Sequence, residues 1–171
     1  MNRRPFLESG TALIGVTFLQ ACGFKLRGTQ TFAFDTIAVQ ASPVGAVAAE
    51  LRKALGSQLL GNTATSQAGT PPVAQVTMDI LQELRERAVA GVNAAGQVRE
   101  LQLRIRVKFR LRNARGKDLI EETEILQQRD ISFSESAVLA KEVEEALLYK
   151  NMQADIVQQL LRRLAAVKSI A

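Results

Sequence analysis

"LQLRIRVKFRLR", residues 101–112, decides the fold. Leu101, Leu103, Ile105, Val107, Phe109 and Leu111 take the odd positions. Gln102, Arg104, Arg106, Lys108, Arg110 and Arg112 take the even ones. A period of two sends the two sets to opposite faces of one strand. The apolar face must be buried, and the cationic face stands in water or among anions. Alternation of this length marks an antiparallel sheet covered on one side.

Turn-forming segments flank this strand: "GVNAAG" at 91–96 and "NARGK" at 113–117. Before the first, Val76, Met78, Ile80 and Leu84 keep to even positions and predict a second strand. After the second, Leu119 to Phe133 alternates less regularly but carries Ile125, Ile131 and Phe133. Further upstream, "DTIAVQ", 35–40, reads as a short strand. Ser42 and Pro43 then read as the N-cap and first-turn proline of a helix. Val44, Val47, Leu51, Leu55 and Leu59 recur at helical spacing until Gly61, where the polar loop "GNTATSQAGTPP", 61–72, begins. At the other end, Ser132 and Glu135 match a capping box. A long helix is predicted from about Glu135 to Val167, with Leu139, Val143, Leu147, Val157, Leu161 and Leu164 in one stripe and Met152, Ile156 and Leu160 widening it. The order β-α-β-β-β-α implies an α+β, two-layer sandwich. A four-stranded, mostly antiparallel sheet would carry two helices on one face.

Composition narrows the chemistry. The chain has 171 residues, 47% hydrophobic and 23% charged, enough for one domain with a core. There is no histidine and only one cysteine, which removes Ser-His-Asp triads, most metal sites and an internal disulfide framework. No Gly-rich phosphate loop precedes a helix, so an enzyme is not expected. The net charge of +5 allows an anionic partner. Nucleic acid fits the basic strand, but one Tyr and no Trp offer little base stacking.

The basic strand face has an ordinary reading: ion pairing across the sheet. A three-residue turn with left-handed Gly116 would set Arg112 opposite Asp118, Lys108 opposite Glu122 and Arg106 opposite Glu124. A two-residue turn at Ala94-Ala95 would set Asp79 opposite Arg110, Glu83 opposite Arg106 and Arg85 opposite Arg104. The leftover cations are Arg85, Arg87 and Arg104, with Arg99 nearby. Like charges held opposite one another are destabilising, and an anionic ligand would relieve them.

The amino terminus reads as a targeting segment. Arg3 and Arg4 form a positive n-region, "TALIGVTFL", 11–19, is a short apolar h-region, and Ala21 precedes Cys22. Leu19, Ala21 and Cys22 resemble a bacterial lipoprotein signal. By that resemblance, residues 1–21 are the signal peptide and Cys22 carries covalent lipid, such as palmitate, as the first residue of a single domain spanning 22–171. No other cofactor is expected. Gly23 rather than Asp after the cysteine points to the outer membrane, with the domain anchored on its periplasmic side.

"CGFKLRG", 22–28, and "LAKEVEEALLYKNMQADIVQQLLRRL", 139–164, together resemble the lipopolysaccharide-assembly lipoprotein family LptE, also called RlpB. The order of elements agrees with that family. The resemblance implies a non-enzymatic plug that sits one-to-one inside the outer-membrane β-barrel LptD. Such a plug assists assembly of the barrel and binds lipopolysaccharide in transit to the outer leaflet. It also implies lipopolysaccharide contacts near the turn at 91–96 and at the start of the long helix. Lys141 matches the helix-start lysine, and Arg87 and Arg99 flank the turn. Lys141 has an alternative role, pairing with Glu144 or Glu145. The candidate binding residues are therefore Arg85, Arg87, Arg99, Arg104 and Lys141. The alternative function is an envelope lipoprotein serving as auxiliary subunit of another lipid transporter.

Overall fold

The alternating stretch lies within β3 (Val98–Asn113), an inner strand of a four-stranded sheet ordered β1-β2-β3-β4. The computed structural model describes residues 30–56, 74–134 and 138–170. The other elements are β1 (Ile37–Ala41), α1 (Ala46–Leu55), β2 (Val76–Val92), β4 (Asp118–Ser132) and α2 (Val138–Ala165). β1 runs parallel to β2, and the β2–β3 and β3–β4 pairs are antiparallel. This is the expected α+β sandwich. The signal segment and Cys22, Leu59, the loop 61–72 and Glu135 lie outside the described residues.

The odd residues of β3 form the floor of the core. Leu103, Ile105, Val107, Phe109 and Leu111 are fully buried against Val47 and Leu51 of α1 and Met152, Ile156, Leu160 and Leu164 of α2. Each such side chain contributes about 1.5–3 kcal/mol by leaving water.

Both hairpin turns use one device. Asn113 Oδ1 accepts hydrogen bonds from the backbone N–H of Arg115 and Lys117, both at 3.0 Å, and Gly116 takes φ 84°. Asn93 Oδ1 accepts from Ala95 at 3.0 Å and Gln97 at 2.9 Å, and Gly96 takes φ 77°. An Asn side chain and a left-handed Gly therefore close a three-residue loop in each case. The two-residue turn expected at Ala94-Ala95 is corrected accordingly.

That correction moves the register. With the longer turn, Val89 faces Leu101, Arg87 faces Leu103 and Arg85 faces Ile105. A bulge at Leu81 then shifts the pairing, so that Ile80 faces Phe109 and Asp79 faces Arg110. An extra residue in one strand reverses which face its neighbours occupy. Below the bulge, Val76, Met78 and Ile80 point into the core, as expected. Above it, Glu83, Arg85, Arg87 and Val89 share the helix-bearing face, while Leu84 and Glu86 join the open face beside Arg106 and Arg104. The expected pairs Glu83–Arg106 and Arg85–Arg104 do not form, and Leu84 is not a core residue. In the β3–β4 hairpin, Arg112 faces Asp118 as expected. Register shifts past Leu111 then set Lys108 opposite Glu124 and Arg106 opposite Leu126, rather than Glu122 and Glu124. Arg106 still reaches Glu124 diagonally at 3.2 Å.

α1 begins later than the sequence suggests, with Gly45 rather than Ser42 at its N-cap. Gly45 has no side chain to cap the helix, and Glu83 of β2 does so from across the interface. Its Oε1 accepts from Val47 N at 3.0 Å. A Cβ on Gly45 would collide with the Glu83 carboxylate. The missing side chain therefore makes room for the cap. Gly45→Ala should lower unfolding free energy by about 1 kcal/mol, the usual contribution of an N-cap. In a Glu83→Ala background most of that loss should vanish, because the cap is already gone. Denaturant unfolding of the single and double variants checks this.

Candidate functional site

The upper half of the sheet reaches past α1. Val47 in the first turn of α1 meets Glu83, and Arg52 Nη2 donates to Val39 O at 2.9 Å further down. α1 therefore runs from the level of Glu83 toward the lower end of β1. Above Glu83, the helix side of β2 carries Arg85, Arg87 and Val89, and among the described residues no helix of the α1 layer lies over them. The first half of α2 passes alongside.

Arg85 lays its guanidinium over the Tyr149 ring, 4.5 Å from Cζ to the centroid. Among the described residues, it has no carboxylate at ion-pair distance. Cation–π contact of this kind orients the guanidinium and leaves its N–H groups available. The Tyr149 hydroxyl donates to Glu86 O at 2.8 Å, tying α2 to β2. Arg87 sits under the helix, with Nε 3.6 Å from Glu145 Oε2 and Cζ 5.8 Å from the Phe133 ring centroid. Its side chain is half exposed. Lys141, in the first turns of α2, donates to Ser132 Oγ at 2.9 Å and Glu144 Oε2 at 2.8 Å. The pairing with Glu144, weighed as an alternative, is therefore present. Exposed ion pairs of this sort contribute little and exchange readily.

The candidates separate into groups. Arg87 and Lys141 converge on the corner where β4 ends and α2 begins, one on Phe133 and the other on Ser132. Arg85 lies along the same side of β2. Arg99 stands near the β2–β3 turn and bonds Gln97 Oε1 at 3.3 Å, while its carbonyl accepts from Phe133 N at 2.8 Å. Arg104 is on the open face, bonded through Nε to Gln102 Oε1 at 2.7 Å and facing Glu86. The expected cluster of Arg85, Arg87 and Arg104 is thus divided between two faces by the Leu81 bulge.

The lower open face is neutralised internally. Buried Asp79 accepts from both Arg110 and Arg112 at 2.8 Å. The hydrogen bond that Arg110 donates to Asp79 raises the Arg110 pKa against an opposing effect of burial. The basic strand is therefore mostly an ion-paired face, as its ordinary reading held.

Tyr149 and Phe133 complete the corner, and neither was singled out as a site residue from sequence. Tyr149 is the only tyrosine, and its spacing placed it among ordinary helix positions. Next to the site, α2 exposes Leu139, Val143 and Leu147, which are 79%, 72% and 56% accessible. They belong to the stripe predicted for the core, and that part of the prediction is corrected. α1 is about 15 Å long and α2 about 42 Å, so the shorter helix cannot cover the longer one.

The Tyr149 phenol is held above its ordinary pKa of 10.0, chiefly by burial and next by Glu145, against the opposing charges of Arg85 and Arg87. Its ionisation should therefore appear at higher pH than in a peptide. Glu145→Gln should move it down and Arg87→Gln further up. A raised acid pKa favours the protonated fold, so this contribution is intact below pH 10.0 and is lost as pH rises through the folded value. Phenolate absorbance reads the single tyrosine directly.

Comparison with known proteins places this geometry. A family model described as "LptE: Lipopolysaccharide-assembly" matches residues 34–164. The NMR structure of uncharacterized lipoprotein B from Nitrosomonas europaea superposes with a TM-score of 0.67 at 30% identity, covering 84% of this chain and 91% of that one. Rare lipoprotein B from Shewanella oneidensis gives a TM-score of 0.61 at 20% identity, covering 77% and 94%. A minor lipoprotein from Acinetobacter baumannii gives 0.57 at 18%, covering 80% and 94%. These last two share the fold. No curated protein matches the chain. The family match spans the core, both helices and the basic corner: the chain belongs to the LptE family of lipopolysaccharide-assembly proteins.

Proposed function

We propose that this chain is an outer-membrane lipoprotein, anchored through lipid on Cys22, that plugs the LptD β-barrel and binds lipopolysaccharide during its passage to the outer leaflet. It assists assembly of the barrel one-to-one and performs no catalysis. Family membership supports a role in lipopolysaccharide assembly. The observation that carries the binding step is the corner formed by Arg85, Arg87 and Lys141 beside exposed Leu139, Val143 and Leu147. Lipopolysaccharide presents phosphates attached to acyl chains. Guanidinium and ammonium groups bind the phosphates by charge-assisted hydrogen bonds, and apolar surface receives the chains.

The plug role rests on surface character. A barrel lumen is polar, and the open face of the sheet carries ion-paired Arg106, Arg110 and Arg112, with exposed Leu84 and Leu126 beside Arg106. Lipid anchoring rests on Cys22. An acyl chain contributes about 0.8 kcal/mol per buried methylene, and more than one chain holds a protein at a membrane stably.

Arg87→Ser with Lys141→Ser should weaken lipopolysaccharide binding about tenfold or more, since each lost charged hydrogen bond costs on the order of 1.5 kcal/mol. Arg104→Ser, on the other face, should leave it unchanged. Equal losses from the two variants would remove the corner as the site. Cys22→Ser should release the protein from the membrane fraction. A carboxy-terminally tagged chain, extracted in mild detergent, should bring down a large partner whose gel mobility shifts on heating. A lipid-anchored, folded chain without such a partner would favour the auxiliary-subunit reading instead.

A further inference from the structure

β4 ends the sheet order, and among the described residues no strand pairs with its outer side. Gln30, Gly56 and Ala74, where the described chain is interrupted, adjoin β1, α1 and β2 on the opposite side of the sheet. From Thr123 to Ser132, β4 follows β3 in one unbroken register, and its irregularities lie further down, past Phe109. Phe133 N donates to Arg99 O at 2.8 Å. In an antiparallel pair, bonded residues alternate with residues that turn their N–H and C=O away. Odd residues of β4 therefore bond to β3. Glu124, Leu126, Gln128, Asp130 and Ser132 present their backbone groups outward, in a straight row about 30 Å long.

Sheet edges usually discourage pairing through proline, lysine, a bulge or charges that stand free. Residues 124–132 contain no Pro, Gly or Lys. Each charged side chain of this row is held by its own chain. Glu124 pairs with Arg106 at 3.2 Å, Asp130 accepts from Gln102 Nε2 at 2.9 Å, and Arg129 Nη2 lies 3.4 Å from Asp155 Oδ2. The charges are thus drawn back toward β3 and α2, and the edge is left open to another strand.

The row is complementary to itself. Consider two copies running antiparallel about an axis through Gln128. Ile125 then faces Ile131, Gln127 faces Arg129, Leu126 faces Asp130 and Glu124 faces Ser132, and no like charges stand directly opposite. Gln128 meets its own copy, and a side-chain amide both donates and accepts, so it can bond to itself. All the outward backbone groups are used, in about ten main-chain hydrogen bonds. Sliding the pair two residues one way sets Glu124 opposite Asp130, and sliding it the other way sets Arg129 opposite itself. Like charges in direct opposition are destabilising, so the register about Gln128 is selected.

We propose that the outer edge of β4 pairs with the same edge of a second copy of this chain, antiparallel about a two-fold axis through Gln128, joining the two sheets into one. The pairing belongs to the free chain and is independent of the lipid and barrel readings; a one-to-one complex with a barrel uses one copy.

Sedimentation equilibrium of the full purified chain in density-matched detergent, over a range of concentrations, tests this. The wild type should pass from monomer to dimer. Gln128→Pro removes an outward N–H and leaves the β3 bonds in place. Circular dichroism should not change, while the dimer dissociation constant should rise at least tenfold. Gln128→Lys sets like charges across the axis and should weaken the dimer similarly; it carries the test if the proline variant does not fold. Leu126→Lys adds the same charge two residues away, opposite Asp130, and should leave the dimer intact. A wild type that stays monomeric at every concentration overturns the proposal. A dimer that survives Gln128→Lys forms through another surface and overturns it too, as does equal weakening by Gln128→Lys and Leu126→Lys.

Discussion

One extra residue in β2, at Leu81, governs the arrangement of the upper molecule. The three-residue turn at 94–96 pairs odd residues of β2 with odd residues of β3, whereas Val76, Met78 and Ile80 must be paired from even positions to fill the core. A strand cannot meet both demands without a bulge. At Leu81 the chain makes that adjustment, and the side chains from Glu83 to Val89 change face, before further register shifts around Gly91. Glu83 turns inward and caps α1. Arg85 turns inward and stacks on Tyr149. Arg87 turns inward and reaches Glu145 and Phe133. The junction of sheet and helices and the candidate site thus depend on the same local irregularity.

The sheet itself was legible. Alternation through residues 101–112 survives as the central buried face, and turns, strand order and both helices follow from simple patterns. Glu83, Arg85 and Arg87 were harder. Their side of the sheet depends on counting residues through a turn and a bulge, and an error of one reverses the answer. Signals were nonetheless present. "NAAGQ" at 93–97 repeats the Asn and Gly spacing of "NARGK" at 113–117, so the same three-residue turn is encoded at both ends of β3. Adjacent Ile80 and Leu81 break the even-position pattern, as does Val89 further on. The bare stripe of α2 was not legible by the same means, because periodicity identifies an apolar face but not the length of the element that covers it. The recurrence of Leu139 and Val143 with Val157 and Leu161 looks continuous in sequence; only the short span of α1 divides it.

The distribution of charge follows from this geometry. Below the bulge, Asp79 satisfies Arg110 and Arg112, and that end of the basic strand is structural. Above it, the arginines of β2 are drawn away from the acidic residues of the open face and placed beside aromatic and apolar side chains. Electrostatic need and apolar exposure therefore coincide at one corner. That coincidence suits an amphiphilic anion, in keeping with membership of a lipopolysaccharide-assembly family.

The single tyrosine makes the central claim directly measurable. Nuclear Overhauser contacts from the Tyr149 ring report which residues of β2 lie beneath α2. The bulged register predicts contacts to the Arg85 side chain and none to Leu84. Contacts to Leu84 with none to Arg85 would mean that the strand runs without the bulge, that both arginines lie on the open face, and that the corner described here does not exist.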